Sequence, residues 1–412
     1  MSTISVEDFY AQLLSLPEPW KVVSVKLSSD QKRVDVALGH DVGSLFPCPK
    51  CGKPCSVYDH SRPRRWRHLG TLQAQTYVHA QVPRTRCTEH GALQIEVAWA
   101  VPFAQTTLWM ETRVLETLKE CDVQATARLQ ELSWSSCQEV MKRAVERGLS
   151  RKADRMPEVL GLDEKHKGSR QGYMTLVNDL KEGVVKEVLV GRDADTVIEY
   201  FEKYPKEQRE AVKAVAMDMS GSYRSAVDQA IPEAAKKVVY DRYHIVAMLN
   251  RAVDQVRRQE AKELKREGDE TLKGSRYLWL YGQENLPEKQ QERFESLREL
   301  ELKTGRAWAI KELLRELWLC PTKEEGQEHF DKWYSWAIRS RLEPIKKAAR
   351  TLKTHLEQVL NYFTHRLTNA LSEGLNSVIE RLKQQACGYR NDDNLRIAIL
   401  FHCGGLDLHL AV

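Results

Sequence analysis

Two short motifs place the strongest constraint on how this chain can fold. "CPKC" supplies Cys48 and Cys51, and "CTEH" supplies Cys87 and His90. Each pair has two residues between its ligands, which puts four soft or borderline donors on two tight turns, as tetrahedral zinc requires. The sequence therefore predicts one structural Zn²⁺ in a zinc ribbon or similar β-supported site, with Cys55 as a substitute ligand. Catalytic zinc is disfavoured, because four protein ligands leave no open position.

Composition narrows the class of protein. The chain has 412 residues, of which 29% are charged and 42% hydrophobic, and this predicts two to four globular domains. No apolar run approaches the roughly 20 residues of a membrane span. The N-terminal stretch lacks the basic start and apolar core of a signal peptide. Nine cysteines without a secretion signal favour a reducing compartment. We therefore expect a cytoplasmic protein with no membrane partner.

The pattern along the chain predicts a multidomain α+β protein. The predicted parts are an N-terminal helix and hairpin (1–45), a zinc-binding domain (46–95), a helix-turn-helix domain (96–156), a mixed α/β domain in two pieces (157–249 and 363–412) and an all-helical insertion between those pieces (250–362). Three strands, then helix and strand in alternation, predict a mixed sheet with helices on its faces. The tryptophans of the insertion either form its core or help to clamp DNA.

A basic segment lies between the two ligand pairs. From residue 46 to residue 95 there are eight Lys/Arg against two Asp/Glu. Within it, "HSRPRRWRHLG" is predicted as a loop, and several guanidinium groups beside an aromatic ring suit contact with a phosphate backbone. The candidate DNA contacts are Arg62, Arg64, Arg65, Trp66 and Arg67. The alternative is a solvated surface loop whose tryptophan packs on the ribbon.

The stretch "DVQATARLQELSWSSCQEVMKRAVERG" predicts a helix, a short turn and a second helix. One helix is expected to bury Ala125, Leu129 and Leu132, and the other Val140, Met141 and Ala144. Ser133 or Ser135 is expected to cap the second helix. As a helix-turn-helix, that second helix would present polar residues to a major groove. These are Ser136, Gln138, Glu139, Lys142 and Arg143. The alternative is a purely structural helical hairpin.

Two aspartates follow apolar strands. Asp163 ends "VLGLD" and Asp218 ends "AVAMD", and in the predicted sheet the first and fourth strands can lie side by side. Carboxylates brought so close repel unless a divalent cation lies between them. Ligation by oxygen alone selects Mg²⁺ or Mn²⁺. Two such ions, about 3.5–4 Å apart, can support phosphoryl transfer.

A third acid is expected from a helix packed on that sheet. Glu373 in "TNALSEGLNSVIERLK" is the preferred candidate, since the apolar residues that follow it give the helix a buried side. Glu380 neighbours Arg381 and is expected to form a surface ion pair. Glu164 points to the opposite face of its strand from Asp163. Taken singly, each acid could equally be a helix cap or a surface carboxylate.

The chain resembles bacterial insertion-sequence transposases of the ISL3 family. The resemblance covers nearly the whole length and rests on "CPKCG", "RRWRHL", "RTRCTEHG", "VPFA", "LGLDE", "AVAMDMSGSY", "VVYDRYHIVAMLNRAVDQVRR" and "SEGLNSVIERLKQQACGYRN". It implies a ribonuclease-H-like sheet carrying an Asp-Asp-Glu triad, matched here by Asp163, Asp218 and Glu373. It also implies an accessory pair, Asp241 and His244. Without the resemblance, that pair would be a helix cap and a core histidine.

The implied function is DNA transposition. Such a protein binds the terminal inverted repeats of an insertion sequence, cleaves at the ends and joins them to target DNA, using two Mg²⁺ or Mn²⁺ ions. A homodimer or larger homo-oligomer on double-stranded DNA is expected, in the bacterial cytoplasm at the nucleoid. Two alternatives remain open: a transposase-derived DNA-binding repressor, and a ribonuclease-H-like structure-specific nuclease.

Overall fold

The computed structural model describes residues 4–168, 172–367 and 370–410, and the chain divides into two compact units. The first unit comprises Met1–Lys152 and Leu406–Val412, and the second comprises Ala153–Gly405. Among the helices described, none combines the length and the apolar character needed to cross a membrane.

The first unit begins with helix α1 (Val6–Leu13) and continues into two four-stranded sheets. Its strands are β1 (Lys21–Leu27), β2 (Arg33–Gly39), β3 (Leu45–Pro47), β4 (Pro54–His60), β5 (Arg64–Thr71), β6 (Ala74–Ala80), β7 (Pro83–Cys87) and β8 (Gly91–Gln94). One sheet has the order β1-β2-β6-β5 and the other β3-β4-β7-β8. The stretch "HSRPRRWRHLG" (60–70) is predicted as a loop, but most of it lies in strand β5, so that prediction is wrong. Its Trp66 is fully buried and packs edge-on against Trp99, with ring centroids 5.6 Å apart.

Three helices complete the first unit: α2 (Leu108–Glu120), α3 (Val123–Leu129) and α4 (Trp134–Arg151). On α4, Val140, Met141 and Ala144 are buried as expected. On α3 the prediction is wrong, because Leu129 is 60% exposed. Helix α3 begins at Val123, directly after its cap Asp122, and Val123 is buried. Side chains three and four residues after Val123 lie on the same face of the helix and are buried with it. These are Thr126 and Ala127.

The second unit contains a five-stranded mixed sheet of order β11-β10-β9-β12-β13. Its strands are β9 (Val159–Gly168), β10 (Gly172–Asp179), β11 (Val184–Val190), β12 (Ala214–Met217) and β13 (Val238–Tyr240). The first three strands pair antiparallel, whereas β12 is parallel to both β9 and β13. The expected mixed α/β architecture is confirmed, with the first and fourth strands as neighbours.

Helices connect and cover this sheet. Those between strands are α5 (Ala194–Glu202), α6 (Lys206–Glu210), α7 (Gly221–Ala230) and α8 (Ala234–Lys237). Those after β13 are α9 (Arg242–Arg266), α10 (Arg276–Leu280), α11 (Glu288–Glu299), α12 (Lys303–Arg315), α13 (Lys323–Arg339), α14 (Glu343–Thr354), α15 (Leu356–His365), α16 (Ala370–Gln385) and α17 (Asp392–Cys403). The side-chain amide of Asn361, on α15, donates to the carbonyl oxygens of Ala235 and Val238 and so ties the helical segment back to the edge strand.

One hydrophobic core runs through both the sheet and the helical segment. Four tryptophans of that segment are buried in it: Trp279, Trp308, Trp318 and Trp333. Trp336 is the more exposed one, at 37%. Of the two explanations for these aromatic residues, core packing accounts for the four buried rings.

Candidate metal centres and nucleic-acid interface

The four predicted zinc ligands lie together between two hairpins. Cys48 and Cys51 occupy the turn from β3 to β4, Cys87 is the last residue of β7, and His90 occupies the turn from β7 to β8. Their ligand atoms all lie within 4.8 Å of one another. The Cys51 Sγ–Cys87 Sγ distance is 3.7 Å, and Nδ1 of His90 lies 3.6 Å from Cys87 Sγ and 3.8 Å from Cys48 Sγ. Tetrahedral bonds of about 2.3 Å to sulfur and 2.0–2.1 Å to nitrogen imply separations close to these.

The turns themselves shape this cluster. Each ligand pair is followed by a glycine with positive φ, Gly52 at 70° and Gly91 at 72°, where a side chain would be strained. The backbone N–H of Glu89 and the imidazole of His90 lower the pKa of the Cys87 thiol to about 6, which favours the thiolate that zinc binds. Cys55 is outside the cluster, and its thiol donates instead to the Lys53 carbonyl at 3.3 Å.

The predicted aspartates occupy adjacent positions on neighbouring strands. Leu162 of β9 pairs with Met217 of β12, and Met217 pairs in turn with Tyr240 of β13. The next residue along the chain is an aspartate in each case: Asp163 lies within β9, whereas Asp218 and Asp241 directly follow the last residues of β12 and β13. Asp163 does not end its strand, as the sequence suggested, because β9 continues to residue 168 through its pairing with β10.

The electrostatics of Asp218 reflect this crowding. Burial raises the pKa of its carboxyl, and the nearby Glu164 and Asp163 carboxylates raise it further. The backbone N–H of Ser220, which donates to Asp218 Oδ1 at 2.9 Å, and the imidazole of His244 oppose that rise. Asp218 therefore does stabilise the turn before α7, and its carboxylate also carries an unfavourable charge interaction that a cation would relieve.

Glu373 lies near the start of α16 and its side chain is exposed. It lines a cleft of about 370 Å³ together with Asp241, Tyr243 and Tyr362. Among all groups of three or more His, Cys, Asp or Glu side chains in the described part of the chain, the cysteine–histidine cluster is the one whose ligand atoms are close enough to share a metal ion. The structure thus brings Asp163 and Asp218 onto adjacent strands and does not bring Glu373 to within ligand distance of both.

A residue that the sequence analysis missed joins α16 to the first aspartate. The Asn376 amide nitrogen donates to Asp163 Oδ2, and Lys165 Nζ donates to the Asn376 amide oxygen at 3.4 Å. Lys165 also pairs with Glu380 at 3.0 Å, so Glu380 links the helix to β9. Asn376 follows Glu373 by three residues, so both lie on the same face of α16. The spacing after Glu373 could have suggested it, because Asn376 falls one turn later.

The remaining acids behave differently. Glu164 accepts from Arg192, on the opposite face of β9 from Asp163, as alternation requires. Asp241 is buried, caps α9 by accepting from the Tyr243 N–H at 2.9 Å, and lies 3.6 Å from His244 Nε2. The cap of the alternative interpretation is therefore present, and the pair also stands beside Asp218.

The predicted DNA contacts divide into exposed and buried side chains. Arg62 and Arg65 are exposed and Arg64 is half-buried, whereas Trp66 and Arg67 are buried. Trp66 belongs to the core and is not available to DNA in this fold. A run of alternating basic residues around a tryptophan fits a half-buried strand as well as a loop, which is why the sequence did not separate the two.

Only some of the residues that are predicted to contact DNA on α4 are exposed. Ser133 caps the helix by accepting from the Ser136 N–H at 3.0 Å, and Lys142 is exposed. Gln138 is buried, and Arg143 forms an ion pair with the buried Glu111 of α2. Arg143 therefore fixes α4 against α2, because an unpaired Glu111 would carry a large desolvation cost.

Comparison with known proteins gives the class of this fold and its sites. A family model described as "Transposase" matches residues 160–399, and one described as "zinc-finger of transposase IS204/IS1001/IS1096/IS1165" matches residues 44–90. The class is thus that of the transposases, which are polynucleotidyl transferases. The chain belongs to the ISL3 transposase family, since the first match covers more than half of it.

Two curated relatives agree. The chain is 29% identical over 352 residues to the transposase for insertion sequence element IS1001 of Bordetella parapertussis, covering 84% of this chain and 86% of the relative. It is 26% identical over 377 residues to the transposase for insertion sequence element IS1557 of Mycobacterium tuberculosis, covering 85% and 84%. The zinc-ribbon match and the cluster of three cysteines and one histidine together support a structural Zn²⁺.

Proposed function

We propose that this protein binds the terminal inverted repeats of an insertion sequence, cleaves the DNA at its ends and joins those ends to target DNA. The observation that carries this proposal is the parallel pairing of β9 with β12, which places Asp163 and Asp218 at adjacent positions. The sheet order β11-β10-β9-β12-β13, with two antiparallel and two parallel pairings, supports the ribonuclease-H-like fold that this proposal requires. The protein would act as a homo-oligomer on DNA in the bacterial cytoplasm.

Asp163, Asp218 and Glu373 are the proposed ligands of two Mg²⁺ or Mn²⁺ ions. Their carboxylate oxygens are the donors that these hard cations prefer. When bound, the two ions activate a water or a 3′-hydroxyl and stabilise the leaving oxygen of phosphoryl transfer. Asp218 would bind through Oδ2, because Oδ1 accepts from Ser220. Asn376 would hold Asp163 by its Oδ2 and leave Oδ1 free.

Other residues of the protein are proposed to support the carboxylates and to bind the DNA. His244 lies next to Asp241, and its imidazole partly opposes the rise that burial causes in the pKa of Asp218. Glu373 is the proposed third ligand, from its place in the cleft that it shares with Asp241. The α3–α4 pair is the proposed helix-turn-helix, with α4 in the major groove.

The test is a cleavage assay on duplexes that carry the inverted repeats flanking the gene. Asp218→Asn and Glu373→Gln are expected to abolish Mg²⁺-dependent cleavage, a loss of about a thousandfold or more because several kcal/mol of charge stabilisation is removed. Both variants should bind the ends as the wild type does. Cleavage retained by both would overturn the assignment. End binding by the wild type without any cleavage would instead favour a repressor.

A further inference from the structure

Two adjoining clefts lie in the first unit, where β5 approaches the start of α4. The larger, of about 530 Å³, is lined by Arg64 and Arg65 on one side and by Ser133 and Ser136 on the other. The smaller, of about 260 Å³, continues along α4 past Glu139. Both share Phe103, Gln105, Thr106 and Ser136. The basic strand and the capped end of α4 therefore face one continuous depression.

Phe103 stands on the rim of both clefts in an unfavourable state. Its side chain is 93% exposed, and its backbone has φ of 63°, a left-handed conformation that bulky residues rarely adopt. Such strain costs on the order of 1–3 kcal/mol and persists where it has a use. Neither burial nor backbone geometry explains a phenylalanine here, and an apolar contact with a bound partner would.

The guanidinium groups of these clefts are held by stacking. Arg64 stacks on Trp66 at 4.8 Å and donates to the Ala104 carbonyl oxygen at 3.2 Å. Arg65 stacks on Tyr77 at 5.3 Å. Within the described residues, neither has a carboxylate at ion-pair distance, so both can take an anion without breaking an ion pair.

A buried arginine adds an independent observation. Arg67 lines the larger cleft, is 8% exposed, and its Nε is a buried donor without a hydrogen-bond partner. Arg67 forms a long ion pair with Glu131, with 3.9 Å between the guanidinium nitrogen and Oε2. The same carboxylate also accepts a hydrogen bond from the Gln75 amide. Burial lowers the pKa of Arg67, whose Nη1 donates to the backbone carbonyls of His68 and Thr76. The start of α4 contributes the positive end of an 18-residue helix to the same place.

We propose that these clefts form one DNA-binding surface, which seats a backbone phosphate between Arg64, Arg65 and the first turn of α4. Phe103 packs against the nucleotide beside that phosphate. Strand β5 and α4 thus bind the same stretch of the element's end as a single surface and not as two separate modules. This inference rests on the end binding proposed above and assigns it to named side chains.

The experiment measures the affinity of the full-length protein for an inverted-repeat duplex over a range of salt concentrations. Phe103→Asn should weaken binding about tenfold, as loss of one apolar nucleotide contact does, with the salt dependence unchanged. Its thermal midpoint should stay equal or rise, because asparagine tolerates the left-handed backbone. Arg65→Ala should lower the slope of log K against log salt by about one phosphate contact.

The matched control is Leu72→Asn, since Leu72 is fully exposed at φ of 56° in the same unit and lies outside both clefts. It should bind DNA as the wild type does. Wild-type affinity in Phe103→Asn, or an unchanged salt slope in Arg65→Ala, would overturn this inference while leaving the proposed function in place. A wild-type protein that shows no preference for the element's ends would overturn the proposed end binding itself.

Discussion

The zinc cluster and the carboxylate site both suit cations, but they are assembled in opposite ways. The zinc ligands come from two hairpin turns of one small sheet, and their ligand atoms already lie within 4.8 Å of one another. The carboxylates come from three distant parts of the chain, with Asp218 and Glu373 separated by 155 positions (373 − 218). Asp163 and Asp218 follow the paired residues Leu162 and Met217 on the neighbouring strands β9 and β12. Glu373 lines a cleft together with Asp241.

The difference follows from the chemistry of the ligands. Two glycine-ended turns can hold thiols and an imidazole together, because such groups can be neutral in the absence of metal, although the lowered pKa of Cys87, about 6, favours its thiolate. Carboxylates are charged at neutral pH and repel, so a site preassembled from three of them would be destabilised without its ions. The cysteine and histidine ligands are therefore already gathered in the structure, whereas among the described residues Asp163, Asp218 and Glu373 do not form a group within coordination range.

The largest effect is expected at the zinc cluster. Cys87→Ser should release the metal and unfold the β3-β4-β7-β8 sheet, because structural zinc in small domains contributes about 10–16 kcal/mol of folding free energy. Zinc content measured by a metal-sensitive dye, and proteolysis of residues 44–90, would report it. Cys55→Ser is the control, since that thiol lies outside the cluster. Equal zinc content in the two variants would contradict the ligand set.

The carboxylate site should respond in the opposite direction when its metal is absent. The pKa of Asp218 is raised, so its contribution to stability is greatest below the ordinary pKa of a carboxyl and is lost as the pH rises through the raised value. Asp218→Asn should therefore raise the thermal midpoint of metal-free protein at neutral pH, because the asparagine oxygen can still accept from the Ser220 N–H while the buried charge is removed.

The same measurement with Mg²⁺ sharpens the contrast. Added Mg²⁺ should raise the thermal midpoint of the wild type and leave that of Asp218→Asn unchanged, since only the wild type keeps both strand-edge carboxylates. A wild-type midpoint that does not respond to Mg²⁺ or Mn²⁺ would count against metal binding at this edge of the sheet.

An intermediate effect is expected from Asn376. Asn376→Ala should lower Mg²⁺-dependent cleavage about 10–100-fold, the usual cost of removing a group that orients a metal ligand. The Mg²⁺ concentration required for half-maximal thermal stabilisation should rise as well, which a purely structural defect would not produce. Gln384→Ala, an exposed change on the same helix, is the control. Identical Mg²⁺ dependence in the two variants would remove Asn376 from the site.

The sequence was informative where function depends on neighbours along the chain. The spacing within each zinc-ligand pair and the helix cap at Ser133 follow from local sequence, and the alternation of strands and helices was enough to predict that the strands before Asp163 and Asp218 could be neighbours. It was less informative where tertiary packing decides the outcome. The strand that buries Trp66, the extension of β9 beyond Asp163 and the bond from Asn376 each depend on a partner far away in sequence.

The smallest effect is expected from His90→Cys. Cysteine and histidine are both competent ligands for tetrahedral zinc, and the bonds from zinc to sulfur and to nitrogen differ by only about 0.2–0.3 Å. The turn from β7 to β8 should accommodate that difference, because Gly91 after it carries no side chain. Zinc content and end binding should therefore match the wild type, and competition with a chelator would measure any change. Loss of zinc from this variant would mean that His90 does more than donate one ligand atom.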